Sequence, residues 1–223
     1  MTPTSQVDLE ISSTSQLNVV RPGTVEYGQA LAMQRSIHSE VASGTRANTL
    51  ILLEHPSVFT AGKRTLDSER PHDGTPVVDV DRGGKITWHG PGQLVGYPIV
   101  RLAKPTELVG FVRSIEAGLI AACRDLGLNT IRVDGRSGVW VRDAQGDRKV
   151  AAIGIRVASG VSMHGFALNV NPDLSPFSKI VACGIDDASV TSLALELKQS
   201  FTIDDILPIV ESHVSDVLIK VST

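Results

Sequence analysis

VWVRDAQGDRKVAAIGIRVASGVSMHGFALNV, residues 139–170, holds three apolar runs joined by links too short to contain a helix. Residues 139–141 and 150–157 flank the polar RDAQGDRK, which reads as a hairpin-like connection, and residues 163–170 form a third strand. A parallel crossover needs a dozen residues or more, so short links of this kind reverse the chain. The stretch predicts a mixed, mostly antiparallel sheet.

Upstream, RGGKITWHGPGQLVGYPI at 82–99 ends in the same alternation, and residues 76–80, 85–89 and 93–100 read as strands broken by Gly and Pro turns. A further strand is expected at 49–53. Thr24 can cap a helix carrying Tyr27, Ala30, Leu31, Ile37 and Val41, with Gly44 suited to its exit. The clearest helix covers 106–126, with Leu108, Phe111, Val112, Ile115, Leu119, Ala122 and Leu126 on one face and Gly127 beyond. Two more are expected at 189–198 and 203–219, the second opened by Thr202 with Asp205 at capping-box distance. The order gives an α/β (α+β) domain, a mixed sheet flanked by helices. The 223 residues suit one domain over 17–223, preceded by a loose polar tail at 1–16.

Composition excludes several classes. No apolar run approaches the roughly 20 residues that span a bilayer, and the first 16 residues lack the basic start and apolar block of a secretory signal. With only two cysteines, Cys123 and Cys183, a disulfide framework is not expected, and a soluble cytoplasmic protein is. Aromatic residues make up 4% and no basic run interleaves with stacking residues, so neither nucleic acid nor membrane is expected as a partner. Charge is uneven: residues 81–160 carry twelve Lys and Arg against seven Asp and Glu, in a chain whose net charge is -3. Such a segment could attract an acidic partner. There is no P-loop, no intact dinucleotide fingerprint and no G-x-S-x-G elbow, and the six histidines show no paired metal spacing. No metal and no cofactor are expected.

Two residues stand out by their settings. Cys123 lies four positions after Leu119 on the long helix, where packing accounts for it. Cys183 instead follows the loop NPDLSPFSKI and precedes Gly184, a place where a thiol can end a pocket. A thiol needs a base or a cation to act at neutral pH, and Lys149, His89 and His164 are the candidates. Lys149 opens KVAAIGIRV, whose small residues leave room beside it.

RGGKITWHGPGQLVGYPI, KVAAIGIRV, HGFALNVNPDLSPFSKI and ACGI, in this order, resemble the lipoyl(octanoyl) transferases, from about residue 20 to the C-terminal helices. One departure is visible: Ala182 stands where that family usually has Pro. The resemblance implies a biotin/lipoate ligase-like fold and transfer of an octanoyl group from octanoyl-acyl carrier protein to a lysine of a lipoyl domain. The acceptors would be the lipoyl domains of 2-oxoacid dehydrogenase complexes and the H protein of glycine cleavage. It also implies that Cys183 carries the acyl group as a thioester, with Lys149 as its acid/base partner. An acyl tunnel would be lined by Arg82, Gly83, Gly84, Lys85, Ile86, Thr87, Trp88 and His89, by Ala152, Ile153 and Gly154, and by Gly165, Phe166 and Ala167. His164 and His89 would shape the reacting end, and the glycines would be present because side chains would fill the tunnel. Two other readings remain open: an ATP-dependent lipoate or octanoate ligase, and a non-catalytic fatty-acyl binder.

Overall fold

The computed structural model describes residues 10–14, 17–180 and 188–223. A nine-stranded sheet runs through it, built from β1 (Glu10–Thr14), β2 (Leu17–Thr24), β3 (Thr49–Glu54), β7 (Gln93–Ile99), β11 (Val161–Asn169), β10 (Gly146–Ala158), β9 (Arg136–Asp143) and β8 (Ile131–Val133) in that spatial order, with β12 (Ala188–Val190) beside β10. Within this sheet, among the described residues, β2 with β3 and β10 with β12 pair in parallel and the other pairs are antiparallel. The expected mixed sheet is therefore present, and the short links of 139–170 make its β9–β10–β11 centre. A second sheet of β4 (Val58–Ala61), β5 (Val77–Asp79) and β6 (Thr87–His89) stands over one face.

Strand alternation divides the interior in two. Leu50 and Leu52 of β3, Leu94 of β7, Phe166 and Leu168 of β11, and Ala151, Ile153 and Ile155 of β10 face one core. That core is covered by α2 (Leu108–Asp125) and α4 (Ile203–Val221), which present Ile115, Leu119, Val210, Val214 and Leu218. The intervening residues Ile51, Leu53, Val95, Tyr97, Ile99 and Ala167 face α1 (Tyr27–Ser43), which offers Ala30, Ile37 and Val41. Gly44 closes α1 in a left-handed conformation, and the Thr202–Asp205 capping box opens α4, both as the sequence indicates.

Several boundaries differ from expectation. Thr24 caps no helix: it is the last residue of β2, paired with Glu54, and α1 starts after Glu26 without a side-chain cap. The helix expected at 189–198 gives way to β12, because Ala188, Ser189 and Val190 complete the edge of β10 opposite Asp147, Arg148 and Lys149. Only α3 (Leu193–Leu197), capped by Ser192, remains of it. Part of the expected tail, Glu10–Thr14, pairs with β2. The strands β2, β4 and β8 carry too little alternation of their own to be read locally; the neighbours they pair with define them.

Candidate active site

A pocket of about 250 Å³ opens between the two sheets on the α1 side. Its floor is β10, β11 and β7 and its roof is the loop and strand of residues 82–89. Arg82 holds the roof in place. Its Nη1 donates to the carbonyls of Gly83 (3.0 Å) and Lys85 (2.8 Å), and its Nη2 to the carbonyl (2.8 Å) and hydroxyl (3.0 Å) of Thr60. The Gly83 N–H in turn donates to Ile155 of β10 at 3.1 Å. This arginine, 8% exposed, is committed to the protein's own loop.

Two of the glycines also serve close packing. A Cβ on Gly154 would stand 3.0 Å from Arg82 Cδ and 3.1 Å from the Gly83 carbonyl. One on Gly165 would overlap the Gly96 carbonyl and stand 2.7 Å from Pro98 Cδ. Both glycines line the pocket and at the same time let neighbouring protein atoms approach closely.

Of the expected residues, Lys149, Arg82, Gly84, Lys85, Thr87, His89, Ala152, Ile153, Gly154, His164, Gly165 and Phe166 line the pocket. Gly83, Ile86, Trp88 and Ala167 do not. Ile86 is fully buried, and Trp88 turns away, donating Nε1–H to Ser57 Oγ at 2.9 Å and meeting Phe177 edge-on. Ala167 lines a small adjoining cavity with Lys149, Gln93, Asn169, Phe177 and Val190. Tyr27, Arg64, Val95, Tyr97, Gly135, Arg136 and Ser137 also line the main pocket and were not anticipated. Val95 and Tyr97 were findable as alternate residues of one strand. Tyr27 and the β8–β9 turn carry no such local signal.

Hydrogen bonds define the histidines. His55, fully buried, stands 2.6 Å from the Val25 carbonyl through Nδ1 and 2.7 Å from Tyr97 Oη through Nε2. A carbonyl only accepts, so Nδ1 carries the proton; burial lowers the pKa of His55, and its bare Nε2 accepts from Tyr97. His89 donates Nδ1–H to Gln93 Oε1 at 2.7 Å. Burial, reinforced by nearby His55, Arg82 and His164 and opposed by Gln93, brings its pKa down to about 3. Gln93 continues to Asn169 (2.8 Å), and Asn169 to the Thr191 carbonyl (2.8 Å). His164 donates Nε2–H to Asp81 at 2.7 Å, and Asp81 also pairs with Arg156. Burial lowers the pKa of His164 against the pull of that carboxylate.

His164 and Lys149 stand at different levels of the sheet. Ala151 of β10 faces Leu168 of β11, whereas His164 faces Ile155. His164 therefore lies six residues along β11 from the level of Lys149, about 20 Å at 3.3 Å per residue. Proximity of His164 to the Lys149 end is not seen, while the network of His89 leads through Thr191, whose N–H donates to the Lys149 carbonyl at 2.9 Å.

Lys149 is 6% exposed, with Nζ 4.5 Å from the centre of the Trp140 ring. Among the described residues no carboxylate pairs with it. An ammonium held in this way lacks an anionic partner, and an aromatic face offsets only part of its lost hydration. Cys183 lies outside the described residues. Before it, Phe177 packs on Trp88; after it, Val190 is the register partner of Lys149. Cys123 is fully buried in α2, and burial pushes its thiol up to about 12, as a packing role requires.

A sequence model described as the lipoyl protein ligase A/B catalytic domain matches residues 26–215. The chain belongs to this family. An octanoyltransferase of Salinispora tropica is 57% identical over 204 residues, covering 91% of this chain and 96% of its own. Among solved structures, the bipartite lipoate protein ligase of Thermoplasma acidophilum, studied with its E2 lipoyl domain, superposes with a TM-score of 0.66 at 16% identity, over 91% of this chain and 83% of that one. The Aquifex aeolicus biotin protein ligase in complex with biotin and ATP gives 0.52 at 10% identity, over 93% and 72%. The fold is that of the lipoate and biotin ligases, and the enzyme is an acyltransferase.

Proposed function

We propose that the chain transfers an octanoyl group from octanoyl-acyl carrier protein to a lysine of a lipoyl domain, through a thioester on Cys183 with Lys149 as proton carrier. The observation that carries this reading is the buried Lys149 ammonium, without a carboxylate partner among the described residues, in the wall of a pocket floored by Ala152, Gly154 and Gly165. An anion formed beside it, a thiolate above all, would gain what the ammonium lacks.

The steps balance with this pair alone. The Cys183 thiolate attacks the carbonyl carbon of the carrier thioester; the intermediate expels the carrier sulfur, which takes a proton from the Lys149 ammonium and leaves as a thiol. Neutral Lys149 then accepts a proton from the attacking acceptor amine, an amide forms, and the Cys183 thiolate is restored. Thioester to thioester is nearly balanced and thioester to amide runs downhill. Each methylene of the chain buried in the pocket contributes about 0.8 kcal/mol, so the pocket's depth would select chain length.

The test is the intact mass of the protein mixed with octanoyl-acyl carrier protein without ATP, beside Cys183→Ala and Cys123→Ala. One octanoyl adduct, missing only in Cys183→Ala and discharged by an apo lipoyl domain, is expected. No adduct here, together with acceptor octanoylation only when ATP and free octanoate are added, would overturn the reading in favour of a ligase. Octanoate binding with neither reaction would leave the passive binder.

A further inference from the structure

We propose that Glu116, on the helix behind the sheet, is a positioning residue for Lys149, acting through the backbone N–H of Gly138. This rests on Lys149 being the proton carrier. Glu116 is fully buried in α2. Its Oε2 accepts from Arg113 Nη1 (2.8 Å) and Arg132 Nε (3.1 Å), while Arg132 Nη2 also donates to the Arg113 carbonyl at 2.7 Å. Its other oxygen, Oε1, accepts the N–H of Gly138 at 2.9 Å.

Gly138 is where this carboxylate meets the site. Its φ of +116° and its packing leave no place for a side chain: a Cβ there would stand 2.5 Å from the Ala151 carbonyl and 3.4 Å from Lys149 Cε. The backbone of Gly138 is thus a wall against the alkyl chain of Lys149. Two residues on, Trp140 puts its ring under the ammonium, and it is also the register partner of Lys149. The ladder shifts register between Lys149 and Ala151, so regular pairing does not by itself dictate the approach of β9 here. Glu116 supplies the missing constraint by anchoring the start of β9 to α2. Gly135 of the preceding turn and Arg136 and Ser137 at the start of β9 line the pocket. Removing the acceptor would leave a buried N–H unpaired and let β9 move off Lys149.

The test reads thiolate formation separately from folding: the pH dependence of Cys183 alkylation by iodoacetamide, located by peptide mass, with melting temperature measured in parallel. Wild type is compared with Lys149→Ala, Glu116→Ala and Glu116→Gln, and acyl-enzyme formation is timed in each. Glu116→Ala is expected to move the alkylation profile toward that of Lys149→Ala and to slow acylation on the order of 10- to 100-fold at unchanged donor affinity. Glu116→Gln has one carbonyl oxygen to serve either Gly138 or the two arginines and turns amide N–H groups against the other, so it is expected to fall between wild type and Glu116→Ala. A folded Glu116→Ala with the wild-type profile overturns the proposal. If Glu116→Ala does not fold, Glu116→Asp, one methylene too short to reach both Gly138 and the arginines, carries the same expectation and the same power to refute. A Lys149→Ala profile identical to wild type would instead refute the role of Lys149, whatever Glu116 does.

Discussion

Phe177 meets the indole of Trp88 edge-on, with ring centroids 5.6 Å apart and planes at 74°. The contact joins the second sheet to the short 3-10 turn at Ser175–Lys179, with Leu174 and Ile180 packed around it. It is one of two anchors flanking the segment that contains Cys183, the other being the pairing of β12 with β10. Phe177→Ala removes this anchor without touching the pocket. It is expected to lower kcat for acyl transfer more than it raises the KM for donor, and to cost roughly 3 kcal/mol or more in urea unfolding. Equal losses in an octanoate-binding assay would show that the anchor shapes the pocket instead.

Arg82→Lys separates charge from geometry at the roof. A lysine has one nitrogen where the guanidinium spans Gly83, Lys85 and Thr60 together. Each lost bond to a charged donor is worth about 1.5–3 kcal/mol. The expected result is a melting temperature several degrees lower and weaker octanoate binding, read by calorimetry, despite the conserved charge.

His89 makes stability pH-dependent. Its pKa in the folded protein, about 3, lies below that of an unfolded histidine near 6.5, so between these values the unfolded chain binds more protons. Stability from this residue is complete above about pH 6.5 and falls as the pH drops toward 3, by at most about 1.4 kcal/mol per unit. His89→Gln should flatten that loss in melting curves taken from pH 7 to 4. A slope unchanged by the substitution would place the acid sensitivity in other groups.

Gly165→Ala and Gly154→Ala should differ in degree. The first drives a methyl into the backbone of β7, whereas the nearest atom to the second, Arg82 Cδ, stands 3.0 Å away and need give by only a few tenths of an ångström. Soluble yield is expected to be lost for Gly165→Ala and retained, with a lower melting temperature, for Gly154→Ala. Comparable yields would contradict the strand spacing described above.

The basic segment 81–160 turns out to be largely neutralised. Arg113 and Arg132 pair with Glu116, Arg142 with Asp147, Arg148 with Asp143 and Glu196, and Arg156 with Asp81. Arg64 lies outside that segment, is exposed at the pocket, and pairs with no carboxylate among the described residues. Arg64→Ala should therefore raise the KM for an acidic carrier at low salt, and the difference should shrink near 0.5 M salt as the Debye length falls to a few ångströms. A salt-independent difference would point to a non-electrostatic contact.

The sequence by itself determined the class of sheet, the two-faced alternation of its central strands, the packing role of Cys123 and the family. These are local properties: link lengths, period-two patterns and ordered motifs are all read along the chain. Most of the pocket wall was indicated by the family resemblance of its motifs. What only the tertiary structure decided are contacts between segments far apart in the chain. Arg82 acts as a loop clamp because β4 brings Thr60 to it, and Tyr27 enters the pocket because α1 packs on β7 and β11. Trp88 turns from the pocket to Phe177, and Glu116 reaches Gly138 across the back of the sheet. Strand periodicity says which face a side chain takes, but which partner waits on that face depends on how the layers stack.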